Sequence, residues 1–511
     1  MNARARVWRG RRAVAAGAVA TVLAVAGPLT VPTAAADPGP AAGRQDRHRS
    51  GDGTDGTRRH GAGDAVGVDD RTDRRNDSGP GKGTARRHRS APVKGPVLAA
   101  AADAAGMPTG DGVQRSLDQA VHDPALGTLD FAVADATTGR LLHGSGENTP
   151  ATPASTTKLA TAVAALALIP PTTRIATTVV RGGAPGSITL VGGGDPTLTV
   201  LPADQVRIGG QPVDADTAPA SLADLAARTA AALKAAGTTT VRLGYDTSLY
   251  TGPLLHPEHD ATNIAAVTPL MIDEGRIDPK SPDEAPARVF DPAGQAAAAF
   301  ADRLRAEGVT VDGAPAQTTA PAGAPTIAEV RSPTVPRLVE RLLTTSDNTL
   351  AEAVARQAAI AAKRPASFEG ASAATLQALT TLGVPTAGVV LNDGSGLSRK
   401  NLVPPITLTE LLARAAAPDH PELRPVLTGL PVAGFTGTLV NRFGARSGAA
   451  EAAGIVRAKT GTLAGVVTLA GTVVDADGRV LVFALMSRTN GGDARGAVDR
   501  IVARIAACGC H

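Results

Sequence analysis

Two hairpin patterns dominate the distribution of apolar and polar positions. Thr128 to Ala134, the turn residues Thr137-Thr138-Gly139 and Arg140 to His143 form the first; Val466 to Val474, Ala476-Asp477-Gly478 and Val480 to Met486 form the second. β-Branched runs joined by such turns predict antiparallel strands, and the stretch from Asp493 to Ala507 predicts a helix behind the second pair. Thr156 to Ile169 is rich in Ala and Leu and stops at Pro170-Pro171, which predicts a buried helix with Ser155 in its first turn. Val335 to Leu343 predicts another helix. Residues 176–326 mix short β-rich runs, Ile188 to Val191 and Thr238 to Leu243, with a helix from Ser221 to Ala236. The pattern predicts an α/β (α+β) architecture. An antiparallel sheet with flanking helices is built from 97–175 and 327–511, and smaller β-rich structure is inserted at 176–326. No internal repeat is evident.

The first 96 residues follow a different pattern. Arg4, Arg6, Arg9, Arg11 and Arg12 precede an uncharged stretch from Ala13 to Ala36 that ends Ala34-Ala35-Ala36. This predicts a secretory signal cleaved after Ala36. A retained membrane anchor is the alternative, because Ala13 to Thr30 approaches the ~18 apolar residues that span a bilayer. Residues 37–96 are dense in Arg, Asp, Gly, Ser and His, lack the large side chains that bury a core, and are expected to form a disordered basic leader. Residues 1–96 hold 18 Lys+Arg and 9 Asp, net +9; the rest holds 51 − 18 = 33 basic and 47 − 9 = 38 acidic residues, net −5. The basic pI therefore belongs to the leader. Its charge suits an anionic polymer or a membrane surface, or simply a solvated linker; nucleic acid is not an expected partner of an exported chain. Only Cys508 and Cys510 are present, so a disulfide framework is excluded, and a metal site would need more ligands than this tail offers.

Chemistry enters with three short motifs in order: Ser155-Thr156-Thr157-Lys158, Ser346-Asp347-Asn348 and Lys459-Thr460-Gly461-Thr462. Alone, the first also describes a surface helix pair, the second a helix cap and the third a turn; their conjunction carries the reading. Only eight lysines occur in the chain, and two fall inside the motifs. Arginine keeps its proton, whereas burial and nearby positive charge drive a lysine to the neutral amine, so proton transfer requires lysine. A three-residue spacing on a helix puts Lys158 beside Ser155, where a neutral amine takes the hydroxyl proton. Lys459, in a strand expected over Ile455 to Lys459, supplies positive charge that holds Lys158 neutral and binds a carboxylate. Ser346 and Asn348 are expected in a loop facing the cleft, where they relay a proton and bond a peptide amide. Gly461 permits close backbone approach, so the N–H groups of Thr462 and Ser155 form the expected oxyanion hole.

This trio is the signature of the penicillin-binding proteins and serine β-lactamases. The separation of Ser155 from Ser346, 346 − 155 = 191 residues, leaves room for an inserted domain after the nucleophile helix. In that respect the chain resembles the D-alanyl-D-alanine carboxypeptidase/endopeptidase family, the low-molecular-mass class C penicillin-binding proteins. Gly192-Gly193-Gly194-Asp195-Pro196-Thr197-Leu198, Asp273-Glu274-Gly275-Arg276 and Asp393-Gly394-Ser395-Gly396-Leu397-Ser398-Arg399 agree with that family. The resemblance runs from about residue 97 to the C-terminus and implies a β-lactamase/transpeptidase-like fold. It places the 393–399 segment in the cleft.

The resemblance implies catalytic Ser155, Lys158 and Ser346, with substrate bound by Asn348, Lys459, Thr460, Gly461 and Thr462. It also assigns the acidic residue of the 256–268 segment, here Asp260, to the amino end of the stem-peptide side chain, although the aromatics usual there are missing. His256 and His259 read as solvated loop residues. The expected activity is a serine DD-peptidase that acts on peptidoglycan stem peptides and takes β-lactams as covalent inhibitors. It needs no metal or organic cofactor, and its basic leader would contact anionic wall polymer or membrane. Thr380 to Val390 holds no acidic residue to match the deacylating glutamate of class A β-lactamases, so rapid antibiotic turnover is not expected. A β-lactamase, or a non-catalytic wall-binding or penicillin-sensing protein, is the alternative. Carboxypeptidase and endopeptidase action are not distinguished, and the oligomeric state is left open.

Overall fold

A computed structural model describes residues 106–489 and 491–511. The expected signal segment at 1–36 and the leader at 37–96 lie outside the described residues.

The first sheet is antiparallel throughout, in the order Arg457–Leu463, Val466–Val474, Val480–Arg488, Thr128–Asp135, Leu141–Ser145. Both expected hairpins are therefore neighbours in one sheet, joined where Thr128–Asp135 pairs with Val480–Arg488. Strand side chains alternate between faces. Val482, Ala484 and Met486 enter one core with the helix Thr157–Leu168, while Leu481, Phe483 and Leu485 enter a second core with the closing helix Ala494–Ala506. Cores on both faces explain why these strands read as nearly continuous apolar runs.

The helix Thr157–Leu168 is buried along almost its whole length, as a sequence apolar on every side requires. Two further helices, Val335–Thr345 and Asn348–Ala361, pack against it. Ser346, at φ 61°, ends the first in the left-handed region, and the Asp347 carboxylate caps the second by accepting from Leu350 N at 3.0 Å. Asn348 is thus the first residue of a helix, not part of an extended loop.

A second, mixed sheet is formed from Thr326–Thr334, Arg174–Arg181, Ser187–Val191, Thr240–Asp246 and Thr310–Val311, with Ala316–Gln317 also on Thr240–Asp246. Parallel pairing enters at Ser187–Val191 with Thr240–Asp246. The helices Leu222–Ala235 and Pro292–Ala306 share one apolar core with this sheet. The inserted region therefore mixes strands with helices as expected, Pro292–Ala306 adding a second helix to the one read at Ser221 to Ala236. It is tied to the helix pair by Arg276 and Arg288, which donate to Asp347 at 3.1 and 2.8 Å, and by Glu274, which pairs with Arg341; within it Thr199 donates to Asp273 at 2.5 Å. At the C-terminus, buried Cys508 and Cys510 are bonded to each other.

Candidate active site

Ser155 sits in a 3-10 turn, Ala154–Thr156, that leads into the helix Thr157–Leu168. Ala154 adopts φ 49°, a strained conformation for a residue with a side chain. The surrounding bonds hold it there. Pro153 C=O accepts from Thr156 Oγ1 at 2.7 Å and from Thr468 Oγ1 of the sheet at 2.8 Å, and Ala154 C=O accepts from Thr157 Oγ1 at 2.9 Å.

Lys158 is fully buried, with Nζ 2.9 Å from Ser155 Oγ, 2.6 Å from Asn348 Oδ1 and 2.6 Å from the Ser395 carbonyl. Asn348 donates through Nδ2 to the Asn263 carbonyl at 2.9 Å, which turns its oxygen toward the lysine. Two of the three partners of Nζ can only accept. A neutral amine has two N–H donors and one lone pair, so when both donors are spent on Asn348 and Ser395 the lone pair faces the Ser155 hydroxyl. Burial lowers the proton affinity of Lys158, against the attraction of Asp393, Glu352 and Asp347, and leaves its pKa pushed down to about 8.

Lys459 is also fully buried; it donates to Ser346 Oγ at 2.7 Å and to Thr460 C=O at 2.9 Å. Burial and then the charge of Lys158 hold it well below the usual lysine range. The charge of Lys158 therefore acts on Lys459, the reverse of the direction expected from the sequence, in which Lys459 holds Lys158 neutral.

Strand Arg457–Leu463 is the outermost of its sheet. A Cβ on Gly461 would lie 3.0 Å from Ser155 N and 2.9 Å from Pro153 O, so this strand passes in contact with the nucleophile turn. Thr460 Oγ1 lies 2.8 Å from Thr438 Oγ1, and Thr462 is exposed. A cavity of about 800 Å3 opens beside Thr345 and Thr438, lined also by Arg341, Glu274, Lys280 and Glu284.

The structure thus forms two hydrogen-bonded groups, Ser155–Lys158–Asn348 and Ser346–Lys459, with Ser346 and Asn348 flanking Asp347 and with Thr460, Gly461 and Thr462 on the strand of Lys459. Asp260 is placed differently. It is exposed, and its Oδ1 accepts from Thr262 N, Asn263 N and Thr262 Oγ1 at 2.7, 2.7 and 2.9 Å, which folds its own loop. Its link to the cluster runs through Asn263 to Asn348.

His256 corrects the sequence reading: only 3% exposed, it bonds Asp393 Oδ2 at 2.8 Å and packs edge-on against Phe368. A contact across 137 residues leaves no mark in a locally polar loop. Glu352 was also missed, although it stands four residues after Asn348 on the same helix face. His256, Glu352 and Asp393 have ligand-type atoms within 4.8 Å of one another. Every carboxylate oxygen there already accepts a hydrogen bond, which suits an ion-paired scaffold better than a metal site.

A serine hydroxyl bonded to a buried lysine amine, beneath an outermost sheet strand, defines a serine acyl-transfer enzyme. Comparison with known proteins places it further. Residues 113–287 and 280–507 match the D-Ala-D-Ala carboxypeptidase 3 (S13) family, and the chain belongs to that family. A carboxypeptidase of Mycobacterium tuberculosis is 37% identical over 419 residues, covering 80% of this chain and 87% of the relative. The D-alanyl-D-alanine carboxypeptidase of an Actinomadura species is 31% identical over 483 residues, covering 81% and 87%. Among solved structures, penicillin binding protein 4 of Haemophilus influenzae shares the fold at a TM-score of 0.59 and 22% identity, covering 77% of this chain and 98% of that one.

Proposed function

We propose that the protein is a serine-type D-Ala-D-Ala carboxypeptidase that acts on peptidoglycan stem peptides through an acyl-enzyme at Ser155. The observation that carries this reading is the arrangement at Lys158, whose donors are matched by Asn348 and Ser395 while Ser155 Oγ lies 2.9 Å away.

Lys158 takes the Ser155 proton as Oγ attacks the carbonyl of the penultimate D-alanine. The resulting oxyanion is received by the Ser155 and Thr462 N–H groups, each such donor contributing about 2.7–4 kcal/mol in comparable sites. Asn348 bonds the acyl-side amide. Lys459, with Thr460, receives the terminal carboxylate, whose negative charge restores proton affinity to an amine that burial has depressed. As the C–N bond breaks, the proton held by Lys158 passes to the leaving amine, with Ser346 in the path. Water then hydrolyses the ester. A β-lactam undergoes the same attack, but its leaving nitrogen stays tethered to the acyl group.

Opening of cross-links is a second reading, favoured by the cavity beside Thr438 and Thr345, which is far larger than one alanine requires. Export by the N-terminal segment, with the basic leader on anionic wall polymer or membrane, belongs to the same proposal. Its support is the charge pattern of residues 1–96 and a wall peptide as substrate.

The test is an intact-mass time course of the full chain with excess benzylpenicillin, paired with an assay for D-alanine release from a D-Ala-D-Ala peptide. One lasting adduct on the Ser155 peptide, with D-alanine released, is expected. Rapid consumption of the antibiotic without a lasting adduct would replace the proposal with a β-lactamase; neither adduct nor turnover would leave a non-catalytic binder.

A further inference from the structure

Behind Lys158 lies a group of buried charges that takes no part in the chemistry above. The loop 393–398 is wrapped around two carboxylates. Glu352 Oε1 accepts from Ser395 N at 2.7 Å and Gly394 N at 3.0 Å, and its Oε2 accepts from Gly394 N at 3.1 Å. Asp393 Oδ1 accepts from Asn401 Nδ2 at 2.6 Å and Gly396 N at 2.8 Å; its Oδ2 accepts from Ser398 N at 2.6 Å and bonds His256 Nε2 at 2.8 Å. Glu352 and Asp393 are 0% and 1% exposed, so neither charge is screened by water. What these bonds fix is the backbone on either side of Ser395, whose carbonyl is one of the two obligate acceptors of Lys158. Thr161 Oγ1, one helical turn beyond Lys158, bonds the neighbouring Gly394 carbonyl at 2.7 Å.

We propose that Glu352, Asp393 and His256 form a positioning unit that aims the Ser395 carbonyl at Lys158 and so turns the amine lone pair onto Ser155. The unit touches no reacting atom. Its effect is to spend one N–H of the lysine, and without that acceptor the amine is free to rotate away from the hydroxyl. Misplacement by about 1 Å in such a site costs on the order of a hundredfold in rate.

The unit also acts through charge. Burial lowers the proton affinity of Lys158; Asp393 on the loop, Glu352 on the helix Asn348–Ala361, Asp347 at the helix cap and Glu284 on the inserted region oppose it, and Lys158 in turn lowers that of Lys459. Burial lowers the proton affinity of His256, but the bond and charge of Asp393 outweigh it and raise its pKa. Of the groups facing Asp347, Arg276 and Arg288 neutralise it. Asp393 and Glu352 are therefore the main charges that oppose the effect of burial on Lys158.

The test rests on the function proposed above and reads the pH profile of benzylpenicillin acylation in the full chain, with rates expressed per molecule able to be labelled. Glu352→Gln and Asp393→Asn should lower the plateau rate by tenfold or more and move the acid limb to lower pH, because removing a nearby negative charge makes Lys158 lose its proton more easily. His256→Gln keeps a donor for Asp393 but removes the group whose raised proton affinity brings positive charge beside it, and should move the limb the opposite way. That variant alone decides the matter if the carboxylate variants do not fold. Profiles that keep the wild-type midpoint, with only the labelled fraction reduced, would mean a purely structural role and overturn the inference. Failure of the wild-type chain to be labelled would instead overturn the function on which it rests.

Discussion

The buried Lys459 amine donates to Ser346 Oγ at 2.7 Å, so the strand of the third motif holds the turn of the second through one side-chain bond. The left-handed φ of Ser346 is what presents its hydroxyl between the two helices. Ser346→Ala removes that hydroxyl and leaves Lys459 only its bond to the Thr460 carbonyl. Acylation by benzylpenicillin should fall on the order of a hundredfold, the scale of a lost proton-transfer group. Stopped-flow labelling measures this, and an unchanged rate would remove Ser346 from the proton path.

The pH dependence follows from Lys158. Its pKa is pushed down to about 8 by burial, against an ordinary value of 10.5. Only the neutral amine accepts the serine proton, so acylation should rise about tenfold per pH unit below 8 and level off above it. Lys158→Ala should abolish this limb and slow acylation by roughly 2–4 orders of magnitude. A flat wild-type profile from pH 6 to 9 would show that another group is the base.

Two glycines should respond differently to alanine. At Gly396 a Cβ would lie 1.9 Å from the Ala154 carbonyl, on a backbone at φ 85°. The conformation alone costs about 1–3 kcal/mol, and the clash falls on rigid backbone. Gly396→Ala should therefore lower the melting temperature and the labelled fraction together.

At Gly461 the new Cβ meets the Thr468 hydroxyl at 2.1 Å but backbone no closer than 2.9 Å. Relief means turning that hydroxyl off the Pro153 carbonyl, a bond of 2.8 Å, and shifting the strand away from Ser155 N, with no strained φ to add to the cost. Gly461→Ala should lose less stability than Gly396→Ala and on the order of a hundredfold in acylation as the oxyanion donors separate. Calorimetry and labelling rates on both variants distinguish the two cases; equal stability losses would refute this account.

The legibility of the sequence divides along the range of the contacts. Ser155 and Lys158 are three residues apart on one helix, and the hairpins are local, so motif and periodicity exposed them. Ser346 and Lys459 were found by motif order, since nothing local shows that their side chains meet across 113 residues. Glu352 escaped, His256 was read as a solvated loop residue, and Asp393 was marked only through its family-like segment, because their meaning lies in bonds across 42 and 137 residues. The parallel pairing in the inserted sheet escaped for the same reason: Ser187–Val191 and Thr240–Asp246 are joined through a helix, and short β-rich runs carry no mark of their partner's direction.

Arg288 offers a test of how the inserted region supports the site. It is 6% exposed, donates to the Glu274 carbonyl at 2.7 Å and to Asp347 Oδ2 at 2.8 Å, and lies far along the chain from the helix that Asp347 caps. Burial raises the Asp347 carboxyl, but Arg288 and Arg276 together hold it well below the usual range. A carboxyl depressed in the folded state stabilises the fold above its unfolded pKa, ordinarily 3.8, and that contribution is lost as pH falls further. Arg288→Met leaves a buried carboxylate with Arg276 alone, so stability at pH 7 should drop by about 3 kcal/mol, the lower end for breaking a buried pair. The loss should shrink in acid, because Asp347 then takes up a proton more readily and the variant no longer forfeits the pair. Urea unfolding at pH 7 and at about pH 3, below the unfolded carboxyl pKa, gives both numbers. A difference between variant and wild type that stays constant with pH would mean that Arg288 acts through the Glu274 carbonyl and its packing, and not through the charge of Asp347.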